Sequence, residues 1–539
     1  MSRKNKKATR NRSSRSSGSR LLKKLLDEAQ PSFPVSHIAE PRLIFGSQRC
    51  CEDPKTGITM FGPAALDRGG RNVLRLGIIG SGGTVQGVKN WIESARGLIK
   101  AGVNSKGRPY DPIFAPQFPG FDTDSPFQCR IDVDTRHCET LTEASIERAI
   151  CHDAFAERVG AMVQLVSGKL EAFADKEPPP DVVIVAMPKI VEQACGPEAR
   201  KGLVRRRKLT KVEKALKRRK REAETTGQTF FDFADPFREE TVKEPDRFRD
   251  FHNALKAWAM RSKLPTQLLW ESTLSRGRGT EDPATTAWNF FTALYYKAGN
   301  LPWELDFAAS RTCFVGVTFY RETPDPDAPT RTCLAQAFSE TGEGLVLRGE
   351  QVTWDTSRDK KPHLSESAAK RLMEQVLETY RRHFDDRPRR VVIHKTSRYW
   401  PEELLGFKSG LADVHSSDFL AIERRGIRFL RLGSEPPVRG TVIHLARRNY
   451  LVYTRGYVPF LRLYPGMRIP NPLEIVEHHG DTSAERVCSE ILALTKLNWN
   501  TCAFASADPV TIGFSKQVAK ILKELPEGVQ PLERYRFYI

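Results

Sequence analysis

Residues 181–188, DVVIVAMP, place six consecutive apolar side chains between an acid and a proline. An extended segment alternates its side chains between two faces, so this strand is apolar on both and has to be covered on both. That demands a parallel sheet with helices packed above and below it. A second segment, NVLRLGIIGSGGTVQGVKNWIESARGLI at 72–99, reads as strand, glycine turn and helix, the unit from which such sheets are made. The first half of the chain is therefore expected to be Rossmann-like. Gly80, Gly82 and Gly83 suggest a dinucleotide fingerprint, but Val85 stands at the third glycine position and the acid that would hold a ribose is missing. A tight strand-to-helix turn is the better reading.

The second half has a different order. Strands are predicted at 312–320, 333–338 and 344–348, then a helix capped by Ser365 with Ala369, Leu372, Val376 and Tyr380 on its apolar face. A strand at 390–396 follows, with further strands at 418–432 and 441–457 and helices near 484–497 and 512–523. Three strands, a helix, a strand and further alternation is the order of a ribonuclease H-like domain. Such an analogy concerns the fold and carries no chemistry.

Charge narrows the partners. The chain of 539 residues carries a net charge of +19, and it is concentrated. Residues 1–24 hold ten Lys/Arg and no acid; residues 201–222 hold twelve against two acids. Basic fields of this kind attract polyanions and release counterions on binding, so nucleic acid is the first partner to consider, although a solvated charged helix also fits the second run. The Ser-rich arm is expected to be disordered. No run of 18 apolar residues exists and the N-terminus lacks an apolar signal block, so a cytoplasmic protein with no membrane contact is expected. The ten cysteines include no zinc-ligand spacing, and a structural zinc or a disulfide frame is not expected.

The stretch FHNALKAWAMRSKLPTQ at 251–267 asks for a closer look. It is one amphipathic helix with Phe248, Phe251, Leu255, Trp258 and Ala259 on its apolar face, ended by Pro265. His252 and Lys256 stand four apart beside that face, and Gln267 follows the break. A second apolar helix, 285–305, has Lys297 in its last turn, where a cation would ordinarily just complement the helix dipole. If the segments pack, His252, Lys256, Gln267 and Lys297 converge. Two ammonium groups, an amide donor and a flat ring are what a terminal phosphate and its attached base require.

HxxxK, PTQ, YYKAGxxPW, LTKLNWN at 494–500, DPVT at 508–511 and a chain ending in FYI resemble the short prokaryotic Argonautes, as do EPRLIFG at 40–46 and DPKTGITMFGP at 53–63. The resemblance runs from about residue 40 to the end. It implies a disordered basic arm over 1–38, a MID domain over 39–298 with a basic insertion at about 201–245, and an inactive PIWI domain over 299–539. It implies further that Lys256, Gln267 and Lys297 hold the 5′-phosphate of a guide RNA and that His252 stacks on the first guide base. A magnesium ion would bridge the phosphate to the C-terminal carboxylate of Ile539. The 201–222 segment departs from what the family requires and reads as an insertion that grips guide or target.

Slicing members of the family hold two metal ions on clustered carboxylates of a ribonuclease H-type site. Here VGVTF puts Thr318 and VIHKTS puts Thr396 where two of those carboxylates belong, and a threonine cannot replace an anionic ligand of a hard dication. Asp508 remains, while Asp325, Asp327 and Asp355 read as solvated acids. No target cleavage by this chain is expected. In the family, complementary single-stranded DNA activates an APAZ-containing effector bound as a heterodimer, with a TIR NADase favoured over a sirtuin-like NADase or a nuclease, and with higher assembly on activation as in SPARTA systems. A guide-directed endonuclease with misplaced carboxylates is the alternative.

Overall fold

The chain builds three sheets out of strands that are often far apart in sequence. The computed structural model describes residues 33–103, 107, 109–199, 250–275, 281–306, 311–321, 330–339, 343–352, 357–358, 361–424, 427–429, 433, 435–466 and 469–539. Most of the basic arm, the 201–245 insertion, Phe248, Asp325, Asp327 and Asp355 lie outside the described residues. In chain order come β1 (Val35–His37), β2 (Leu43–Ile44), β3 (Cys50–Cys51), β4 (Val73–Gly80), β5 (Arg130–Asp132), β6 (Cys138–Thr140), β7 (Val182–Met187) and β8 (Thr266–Trp270).

The first half forms a parallel sheet in the order β5-β4-β7-β8, with β6 also paired to β4. β7, the six-residue apolar run, is buried at every position, as its sequence requires. After β4, Ser81 caps the Gly82–Ser94 helix by accepting a hydrogen bond from the Thr84 amide. A Cβ on Gly80 would collide with the Ala186 carbonyl oxygen of β7, so this glycine serves the close approach of two strands. Helices Glu143–Ile150 and Phe155–Ala174 were not anticipated; the second buries Val159, Met162, Val163, Val166 and Leu170 against the sheet.

The second half adds β9 (Glu304–Leu305), β10 (Thr312–Arg321), β11 (Thr330–Phe338), β12 (Gly344–Val352), β13 (Arg390–Lys395), β14 (Ser416–Glu423), β15 (Thr441–Ala446), β16 (Asn449–Val452) and β17 (Leu473–His479). Nine strands form one sheet in the order β1-β15-β16-β17-β14-β13-β10-β11-β12, in which β10, β13 and β14 run parallel. Ser365 caps the Glu366–Phe384 helix, and Ala369, Leu372, Val376 and Tyr380 are buried as expected. The strand expected over 418–432 stops at Glu423, and the one expected over 441–457 is broken by a turn at residues 447 and 448. The Pro401–Gly410 helix and β17 were not anticipated.

The arm expected to be disordered through residue 38 is ordered earlier, because Val35–His37 is an edge strand of this sheet with Val35 opposite Ile443. A small sheet in the order β3-β2-β9 connects the two halves. Among the described residues no helix is long and apolar enough to cross a membrane.

Candidate nucleic-acid interface

Asp250 caps the Phe251–Ala259 helix by accepting from the Asn253 amide at 3.0 Å, and Phe251, Ala254, Leu255 and Ala259 bury its apolar face. The cap starts the helix so that Lys256 falls over the beginning of β8. There its Nζ donates to the Thr266 carbonyl oxygen at 2.7 Å. The Pro283–Lys297 helix, nearly all buried, brings the Lys297 Nζ to the Gln267 Oε1. Lys256, Gln267 and Lys297 thus meet, and the two ammonium groups are neighbours.

Lys256 and Lys297 retain exposures of 2% and 1%. Neither has a carboxylate partner among the described residues. Burial pushes Lys256 down to about 7, and burial together with the Lys256 charge holds Lys297 well below the ordinary lysine range. Such a pair is a poor place for two cations alone and a good one for an anion. The amide of Gln267 is turned otherwise than expected, since its oxygen takes Lys297 and its Nε2 donates to the Leu268 carbonyl at 3.2 Å.

His252 lies one turn before Lys256 and is partly exposed. Burial, reinforced by the charges of Lys256 and Lys297, pushes it down to about 4, so at neutral pH it is an uncharged ring. It borders a cleft of about 210 Å³ lined by Phe155, Cys195, Leu268 and Trp270.

The end of the chain closes on this site from the other half. Tyr296, beside Lys297, lies 4.5 Å from the Trp499 ring and 5.8 Å from the Tyr535 ring. Trp303 Nε1 donates to the Lys496 carbonyl oxygen at 3.0 Å. Segments YYKAG, LTKLNWN and the chain terminus are therefore one aromatic joint, and Ile539 is buried next to it in the same core. Arg536 was missed by the sequence reading. It packs over Gly299, whose φ of +102° favours glycine, and burial with the nearby charges of Arg534 and Arg71 lowers its pKa. The Arg-Tyr-Arg alternation before the terminus was the available signal. No three His, Cys, Asp or Glu side chains converge as metal ligands among the described residues. The donor set around the lysines suits a phosphate.

In the second half, Val317 of β10 pairs with Lys395 of β13. Thr318 and Thr396 each follow directly, where the parallel pairing of β10 and β13 ends; Thr318 is still within β10 and Thr396 lies just past β13. Among the described residues, Glu423 and Asp508 near this edge each hold a base. Lys361 Nζ reaches Glu423 Oε1 at 2.5 Å and the Thr396 carbonyl oxygen at 3.4 Å. Arg424 donates through Nε and Nη2 to Asp508 Oδ1 at 2.8 and 2.6 Å.

No family model matches the chain. Over 300 residues it is 22% identical to the Argonaute protein of Aquifex aeolicus, a match that covers 55% of this chain and 39% of that protein. Its structure is similar to that of Clostridium butyricum Argonaute, solved with a guide DNA and a 19-mer target DNA, with a TM-score of 0.56, 14% identity, and coverage of 93% of this chain and 54% of that one. The A. aeolicus Argonaute crystal structure matches with a TM-score of 0.51 at 15% identity, covering 96% and 57%, and Drosophila Piwi with 0.51 at 12%, covering 94% and 56%. The chain spans about half the length of the solved structures it matches, and less of the curated relative. The chain thus has a distant sequence relationship to one Argonaute over about half its length and shares the fold of several Argonautes along nearly all of it.

Proposed function

We propose that this chain is a short Argonaute composed of MID and PIWI domains, which holds a 5′-phosphorylated guide RNA and presents it to complementary single-stranded DNA without cutting it. The observation that carries this reading is the pair of buried lysines that have no carboxylate partner among the described residues. A terminal phosphate supplies the missing negative charge in a site closed to water, where charge-assisted hydrogen bonds are strongest. His252, uncharged and beside a cleft, suits stacking on the first base. Pairing with the guide then reads sequence while the protein reads backbone and shape. A magnesium ion between the phosphate and the Ile539 carboxylate would add a further charge bridge.

Absence of slicing is supported by Thr318 and Thr396 at the strand edge and by the bases that engage Glu423 and Asp508. Among the described residues, this edge offers no group of three acids or histidines for metal ions. The chemistry is then assigned to a partner, an APAZ-containing effector with a TIR NADase favoured, which target recognition switches on in defence against plasmid or phage. The protein acts in the cytoplasm on this reading.

The test compares 5′-phosphorylated with 5′-hydroxyl guide RNA by competition, then adds labelled complementary DNA with magnesium or manganese. Preference for the phosphate and retention of intact DNA are expected. Equal binding of both guides overturns the pocket, and cut DNA replaces the sensor with a guide-directed endonuclease.

A further inference from the structure

Asn253 is a polar side chain in a buried place. It belongs to the helix that carries His252 and Lys256, among the buried Phe251, Ala254 and Leu255, and is 8% exposed. An amide so placed is costly unless its hydrogen bonds are met. The partner comes from the other half of the chain. Gln517, on the Val510–Leu522 helix that lies against β10 and β11, donates from Nε2 to the Asn253 Oδ1 at 3.1 Å. The same oxygen faces the His252 Nδ1 at 3.4 Å. An amide oxygen has no proton to give, so the ring nitrogen facing it has to be the donor. An uncharged imidazole donates from one nitrogen and accepts at the other, which puts the His252 proton on Nδ1 and leaves Nε2 as an acceptor.

From this chain of contacts we propose that Asn253 and Gln517 are positioning residues of the guide pocket, which fix the plane of the His252 ring and keep its proton on Nδ1. The inference rests on the reading of His252 as the ring that stacks on the first guide base, and it deepens that reading by making a residue of the second half set the ring. Consecutive residues of a helix do not ordinarily face each other, so the contact with Asn253 takes rotational freedom from the ring. A ring already ordered loses less on stacking than one that turns, and this preorganisation is what the two amides supply.

The experiment has two readouts. Nitrogen–proton NMR of the guide-free, histidine-labelled protein, at a pH where the ring is uncharged and with the His252 signal identified by its loss in His252→Ala, reports which ring nitrogen holds the proton. Competition between 5′-phosphorylated guide RNAs with and without a first base reports the stacking. The parent is expected to show the proton on Nδ1. In Gln517→Glu the new side chain only accepts, so Asn253 has to turn its amide nitrogen to it and to the ring, and the proton is expected to move to Nε2. Gln517→Met removes the donor at similar size. It is expected to weaken the intact guide by about 5-fold and to leave the guide without a first base unchanged. A proton on Nε2 in the parent, or one that stays on Nδ1 in Gln517→Glu, overturns the proposal. So does a normally unfolding Gln517→Met protein that binds both guides as the parent does, or that weakens both alike, as a mere brace between the halves would. Equal binding of 5′-phosphate and 5′-hydroxyl guides overturns the pocket reading instead, and the guide-free spectra still decide the hydrogen-bond chain.

Discussion

Two parts of this molecule bury lysines, and they do so in opposite ways. Lys395 and Lys496, both fully buried, sit on carboxylates: Lys395 on Glu403, and Lys496 on Glu40 at 2.7 Å. Lys256 and Lys297, buried as deeply, have an amide oxygen and a carbonyl oxygen instead. The first two join elements of the fold. Glu40, for example, ties the segment before β2 both to Lys496 and to Arg439 at 2.8 Å. The second two have no carboxylate beside them among the described residues, and burial disfavours their charged forms until an anion arrives. The comparison teaches that burial of a lysine is uninformative until its partner is known: a carboxylate marks a joint, and its absence marks a place for an anion.

The largest effect should come from breaking a joint. Glu403→Gln takes the carboxylate from the buried Lys395 ammonium, and a loss of about 3 to 5 kcal/mol in unfolding free energy is expected in denaturant titrations. Lys297→Met is the matching change in the pocket. It removes an uncompensated charge, so the guide-free protein should be as stable as the parent or more so, while the preference for 5′-phosphate falls by about 1.5 to 3 kcal/mol, some 10- to 100-fold in competition. Equal destabilisation by the two variants would erase the distinction.

The pocket also has its own pH signature. Between about 7, where Lys256 titrates in the fold, and the ordinary lysine value of 10.5, the unfolded chain binds more protons than the folded one. Stability of the guide-free protein therefore gains a contribution that rises with pH across this window, and Lys256→Met should reduce that rise in thermal unfolding, leaving the part due to Lys297. Phosphate binding restores the charged form and takes up protons, so guide affinity should fall as pH climbs above about 7. The smallest effect is local: Asp250→Ala removes the cap of the helix that carries His252 and Lys256 and should cost about 1 kcal/mol.

Much of the architecture was legible because it depends on short-range pattern. The apolar run of β7 needs two covered faces whatever surrounds it, and Ser365 caps its helix through an amide three residues on. The pocket was legible through residue types: Lys256, Gln267 and Lys297 lie on three elements whose packing was required by their apolar faces. What failed depends on distant partners. Val35 finds Ile443 across about 400 residues, so β1 could not be told from a loose arm. Arg536 reaches Gly299 only because the terminus folds back on Trp499 and Tyr296. Gln267 turns its oxygen to Lys297, which has no carboxylate beside it among the described residues, and no local spacing reveals this.

By itself, then, the sequence determined which segments must be buried, in what order the strands and helices come, and which side chains could face a phosphate. Tertiary structure decided which of the charged groups are neutralised. Local periodicity sets burial along each element, whereas the electrostatic state of a side chain depends on partners and on exclusion of water, and both come from chain segments hundreds of residues away.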